Sequence, residues 1–157
     1  MRSQNIDQGW QFQYGIVSGF PDPSGQENIR KVNLPHDYMI ESDVTQTAPA
    51  GNASGFYTAG VASYTKYIDI PREWENEKIS LRFDGVMMNA TVDVNGCKVC
   101  LQHNGYIPFY ADITPYVYFG KSNRVSVTVN PSMQPNSRWY TGAGIFRSVE
   151  LCHMPKL

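Results

Sequence analysis

Cysteine is scarce in this chain of 157 residues, and its three copies, Cys97, Cys100 and Cys152, are too odd a number to pair off. Cys97 and Cys100 form a CxxC, a spacing shared by zinc and redox sites. An Asn95-Gly96 turn precedes them, which places both on an extended strand. Side chains three apart on a strand point to opposite faces, with Cα atoms ~10 Å apart and outside disulfide reach. No second CxxC or paired histidine completes a metal site, since His36, His103 and His153 stand apart in the sequence. Ordinary thiols are expected, with no metal and no cofactor.

Charge of one sign is missing too. Thirteen basic and fourteen acidic residues are scattered along the chain for a net charge of −1, so no basic patch tracks a phosphate backbone and nucleic acid is not an expected partner. No apolar run approaches the ~20 residues of a membrane helix, and the opening MRSQNIDQGW lacks a signal peptide's apolar core. A soluble chain without a membrane partner is expected, its compartment open. Long helical stripes are absent as well.

What is present is alternation. Ile79, Leu81 and Phe83 alternate with Ser80 and Arg82, and Val125, Val127 and Val129 with Ser126 and Thr128. Ala90, Val92 and Val94 lead into Asn95-Gly96, the strongest short hairpin signal, and then Val99 and Leu101. Ile145, Val149 and Leu151 share a face with Arg147 in a closing strand. Further strands are expected at residues 11–14, 30–34, 63–70 and 107–112. Many short strands, with 13 Gly and 10 Pro between them, predict one all-β domain over residues 1–157, a jelly-roll β-sandwich. The connections at 15–28 and 36–57 are long, as crossings between two sheets require, and long loops on a rigid scaffold tend to carry binding residues. The chain stops about six residues after the closing strand expected here, as a trimmed domain would.

Catalytic chemistry is hard to assemble from these residues. Glycosidic cleavage needs two carboxyl groups across a sugar bond, but most acids here sit on polar strand faces or in turns. Asp37, after Pro35, and Asp84, where a strand breaks, stand out; for both a turn or backbone-capping role is the plainer reading. Ser137 lies in no nucleophile elbow. Gly142-Ala143-Gly144 precedes a strand rather than a helix, which excludes a dinucleotide loop.

Aromatic residues are plentiful, with three Trp, ten Tyr and seven Phe. Trp10, Phe12, Phe83 and Phe146 read as core. Trp139 and Tyr140 are adjacent and cannot both face the core of an extended segment. Sugars present C–H faces to rings and hydroxyls to forked donors, so Arg138 beside Trp139 suits a carbohydrate. An internal ion pair with core packing is the other reading.

Six blocks, GWQFQYG (9–15), VNLPHDYMIES (32–42), GFYTAGVASYTKYIDIP (55–71), RFDGVMMNATVDVNG (82–96), GYIPFYADITPYV (105–117) and QPNSRWYTGAGIFRSVEL (134–151), together resemble the N-terminal domain of glycoside hydrolase family 2, in that domain's order. The nearest likeness is to bacterial β-galactosidase-like members. The resemblance implies a jelly roll of the galactose-binding type that is itself non-catalytic. In the full enzymes an immunoglobulin-like sandwich and a (β/α)₈ barrel follow, the barrel carrying two glutamates that act by retention; neither later domain is in this sequence. It implies a partner within the same chain, the catalytic barrel, and a β-linked glycoside, a galactoside by preference, as ligand. The implied substrate-binding residues are Arg138, flanked by Asn136 and Trp139. Several family members have aspartate where this sequence has Arg138. His36 and Asp37 match a structural block, and Tyr38, where tryptophan is common, fits a packing position. A free-standing carbohydrate-binding module is the alternative, and a protein-interaction sandwich a third.

Overall fold

The computed structural model describes residues 1–15, 29–133, 135 and 137–156. Among these residues ten strands form: β1 (Arg2–Asn5), β2 (Trp10–Tyr14), β3 (Ile29–Val32), β4 (Ala62–Ile70), β5 (Glu77–Phe83), β6 (Ala90–Val94), β7 (Cys97–Gln102), β8 (Phe109–Asp112), β9 (Lys121–Val129) and β10 (Val149–Pro155). Every pairing is antiparallel. Four strands, in the order β1-β10-β5-β8, face six in the order β3-β2-β4-β9-β6-β7. The chain crosses repeatedly between the layers, giving the expected sandwich.

The alternating residues explain the layers. Leu81 lies between Leu151 of β10 and Ala111 of β8, while Phe12, Tyr64, Val127 and Val92 make a row across the larger sheet. All seven are buried. Phe83 stacks on Phe109 at 4.9 Å between ring centroids. Each large apolar side chain removed from water this way contributes roughly 1.5–3 kcal/mol against leaving it exposed.

The structure also departs from the sequence-based expectations. β1 was not anticipated, because Arg-Ser-Gln-Asn has no apolar alternation; all four residues are exposed, and the strand exists through its ladder to β10. The closing strand starts at Val149, not Ile145, and runs to Pro155, so the chain ends two residues after its last strand rather than about six. Ile145 is still fully buried, but its segment is pinned by other bonds. Phe146 is half-buried rather than core, with the Arg147 guanidinium 5.3 Å from its ring centre. In the hairpin of β6 and β7 a register shift pairs Cys97 with Val94 and Cys100 with Val92. Val94 and Val92 share a face, so strict alternation between the cysteines does not hold. All three cysteines are free.

At one end of the sandwich three distant segments meet. His36 N donates to Ile145 O at 2.8 Å and Tyr38 N to Ala143 O at 2.9 Å, while Met87 and Gly144 exchange backbone bonds of 2.9 and 2.8 Å.

Candidate functional site

Glycine makes that junction possible. Gly144 has φ +131°, and a Cβ there would stand 2.5 Å from both His36 O and the Tyr64 hydroxyl. Gly142 has φ +73°, and a Cβ would come within 2.9 Å of Asp37 Oδ2. The two glycines let the chain from 137 onward close against residues 36–38.

Asp37 is the polar centre of the junction. Its Oδ1 accepts N–H bonds from Met39 at 3.0 Å and Ala143 at 2.9 Å, and its Oδ2 accepts the Tyr140 hydroxyl at 2.5 Å. The bond to Met39 is the local turn role expected of an Asp here; those to Ala143 and Tyr140 are long-range ties. Tyr140 also meets Tyr57 edge-on, ring centroids 5.5 Å apart. Desolvation, then the hydrogen bond to Asp37 and that residue's charge, push the Tyr140 hydroxyl far above the usual phenol range. Tyr140 therefore remains a donor at any ordinary pH.

Beside Asp37, His36 Nδ1 lies 2.7 Å from the Tyr64 hydroxyl and Nε2 lies 3.1 Å from Glu41 Oε1. Glu41 is also paired with Arg30. Tyr64 is fully buried, and desolvation drives its hydroxyl strongly upward despite an opposing backbone bond from Ile145. Tyr38 is buried as a packing position should be, its hydroxyl donating to Gly60 O at 2.8 Å. Asp84 sits at the end of β5 and pairs with Arg82 at 2.9 Å. These groups hold the fold together. Among the described residues no cluster of His, Cys, Asp and Glu could hold a metal ion.

The loop beyond the junction opens a cavity of about 510 Å³, lined by Met87, Met88, Asn104, Tyr106, Arg138 and Trp139, with Gly105, Ser137 and Thr141 completing the wall. Arg138 and Trp139 thus lie together, while Asn136 lies outside the described residues. Trp139 is 63% exposed and Tyr106 52%; the indole N–H reaches the Tyr106 hydroxyl at 3.4 Å. Ser137 Oγ bonds to both Trp139 N and Trp139 O, folding the loop on itself. Asn104 Oδ1 accepts the Tyr106 N–H at 2.8 Å. Arg138 is the one charged residue among these lining residues. Rings, an amide and a guanidinium around an open hollow suit a ligand with apolar faces and many hydroxyls.

Residues 5–155 match the family described as glycosyl hydrolases family 2, sugar binding domain. The chain belongs to that family. Among curated relatives it is 38% identical to a β-galactosidase of Bacteroides ovatus, over 90% of this chain and 17% of that protein. It is 32% identical to a putative β-glucuronidase of Formosa agariphila, over 94% and 14% respectively. A solved family 2 member from Bacteroides cellulosilyticus superposes with a TM-score of 0.89 at 35% identity, over 99% of this chain and 21% of that one. A β-glycosidase from Bacteroides vulgatus gives 0.88 at 36%, over 99% and 20%. This family 2 domain therefore spans about one seventh to one fifth of the relatives it matches.

Within the domain, sequence reasoning singled out Arg138 and Trp139 but missed Tyr106, Asn104 and the two methionines. Tyr106 lies inside the block at 105–117, one residue before the strand expected at 107–112. The observed β8 starts at Phe109, and Tyr106 stands ahead of it in a turn closed by Asn104. The available signal was Asn104-Gly105, a turn dipeptide followed directly by a ring.

Proposed function

We propose that this domain serves a larger retaining exo-glycosidase, packing on its catalytic barrel and completing the glycone pocket without performing the bond cleavage itself. One observation carries the reading: Arg138 and Trp139, within the family-matched stretch, share one open cavity with Tyr106. Trp139 offers a ring to a sugar's C–H face, and Arg138 offers forked N–H donors to its hydroxyls. Neither can take up or deliver the proton that cleavage demands, since guanidinium does not titrate in proteins and indole is donor only. Their contribution is to hold the glycone in register with the barrel's two glutamates, which the family resemblance supplies.

A β-linked galactoside is the proposed substrate class, supported by the likeness to the B. ovatus β-galactosidase; the β-glucuronidase among the relatives makes the glucuronide the competing substrate. In the full-length enzyme Arg138→Ala should lower kcat/KM by roughly 10–100-fold, the loss of one charge-assisted hydrogen bond felt at the transition state. Measuring the variant on nitrophenyl galactoside and nitrophenyl glucuronide tests both claims. Unchanged kinetics on both substrates would remove Arg138 from the pocket, and a wild-type preference for the glucuronide would replace the galactoside.

A further inference from the structure

The cavity wall that carries Arg138 and Trp139 has few ties to the rest of the domain. Among the described residues, two side-chain hydrogen bonds join residues 138–141 to distant parts of the chain. One is the long 3.4 Å contact from the Trp139 indole to Tyr106, itself 52% exposed. The other is the 2.5 Å bond from the Tyr140 hydroxyl to Asp37 Oδ2, across 103 residues of sequence. Asp37 is in turn oriented by two backbone N–H donors on its other oxygen, and Gly142 leaves just the room that the carboxylate fills. The exposed wall is therefore held at Tyr140, directly after Trp139, by one firm hydrogen bond together with the edge-on packing of its ring on Tyr57.

We propose that Asp37, acting through Tyr140, is the positioning residue of the cavity, fixing where the Arg138 guanidinium and the Trp139 ring stand. The proposal rests on the pocket reading above for its effect on sugar, but its structural content stands apart from it. With three donors already on its two oxygens, Asp37 is committed to holding the loop rather than to acid–base work. Tyr140 transmits the anchor because its hydroxyl meets Asp37 while its main chain continues into the cavity wall. Loss of the tether leaves Trp139 with its local turn and the long bond to Tyr106.

Tyr140→Phe is the cleanest perturbation, because it removes the hydrogen bond to Asp37 and leaves the ring contact with Tyr57, Asp37's backbone bonds and the junction intact. In the 157-residue chain labelled with ¹⁵N, three indole signals arise from Trp10, Trp74 and Trp139, and Trp139→Phe assigns the third. We expect Tyr140→Phe to lower the heteronuclear NOE of the Trp139 indole alone, with Tm within about 3 °C of wild type. Asp37→Asn, which keeps an acceptor for the backbone donors and can present its amide to the Tyr140 oxygen, should fall between wild type and Tyr140→Phe. An unchanged Trp139 signal in Tyr140→Phe overturns the proposal, whatever the enzyme kinetics show.

In the full-length enzyme Tyr140→Phe should lower kcat/KM roughly tenfold, mostly through KM, and have no further effect once Arg138 and Trp139 are both alanine. Losses that add in the triple variant overturn the proposed route through these two residues. If Arg138→Ala alone leaves the kinetics untouched, the pocket reading fails, and the indole measurement still decides the tether.

Discussion

Gly144 shows how much one missing side chain can decide. A methyl group there would press into a backbone carbonyl and a buried hydroxyl, at a φ that other residues rarely adopt. Gly144→Ala should cost about 2–3 kcal/mol, read as a lowered urea midpoint with an unchanged m-value. Asp112 illustrates the opposite case, a residue whose charge is useful. Desolvation raises its pKa, but the Thr114 hydrogen bonds and Lys78 together outweigh this and leave it below the ordinary carboxylate range. A carboxylate whose pKa is depressed by folding stabilises the protein above its unfolded value and loses that contribution as pH falls through the folded one. Asp112→Asn should therefore flatten the decline of Tm below about pH 4; an identical acid limb would mean the contacts contribute nothing. At this scale the sequence was informative about type and poor about partner. Asp37 read correctly as a turn former through Met39, but its bond to Tyr140, 103 positions away, left no local trace.

Elements were most legible where two signals agreed. Asn95 and Gly96 both have positive φ, 52° and 86°, the geometry of a two-residue hairpin turn. The turn does more than reverse the chain, because the Asn95 amide bonds to Tyr116 O and Asn123 Oδ1, both at 2.8 Å. Asn123 is fully buried and also bonds to Tyr118 N, Tyr118 O and Lys121 O. Replacing Asn123 by Ala strands several of these groups without water and should cost about 3 kcal/mol, measurable by chemical denaturation; a neutral substitution would show that solvent reaches them. On β7 the register shift and the edge position govern the thiols. Cys97 is exposed, whereas Cys100 is half-buried and desolvation, then Asp93, raises its pKa. Iodoacetamide followed by peptide mass spectrometry should find Cys97 alkylated well before Cys100, with Cys152, buried in β10, last. The bulge itself was illegible, since an alternating pattern carries no mark of one extra residue. The start of β10 was misplaced for a related reason: Ile145 is buried as a strand residue would be, yet through the bridge of Gly144 to Met87.

For the whole molecule, one core joins both sheets, since Phe83 and Leu81 from the smaller layer and Val92 and Val127 from the larger belong to a single buried cluster. The alternating runs made that architecture readable in advance. The cavity was only half readable, because Arg138 and Trp139 announce themselves by chemistry while Tyr106 arrives from another loop by folding alone. On the proposed function, in which the domain supplies part of a pocket, it should bind free sugar feebly. Calorimetric titration of this chain with galactose, lactose and glucuronic acid is expected to show no saturation up to the millimolar range, where the interaction energy is only about 4 kcal/mol. Saturable micromolar binding would instead favour a self-sufficient carbohydrate-binding module.

The pairing of β1 with β10 sets an order on synthesis. Arg2 lies opposite His153 and Asn5 opposite Glu150, so during synthesis β1 must wait for β10 before it gains its neighbour in the sheet. Until then β5 has one flank without a partner, although Ile79, Leu81 and Phe83 are already in the chain. Such an open, apolar edge invites pairing with other nascent copies. A chain ended at residue 144 should accordingly accumulate in inclusion bodies, and co-expression of the missing strand as a separate peptide is the natural attempt at rescue.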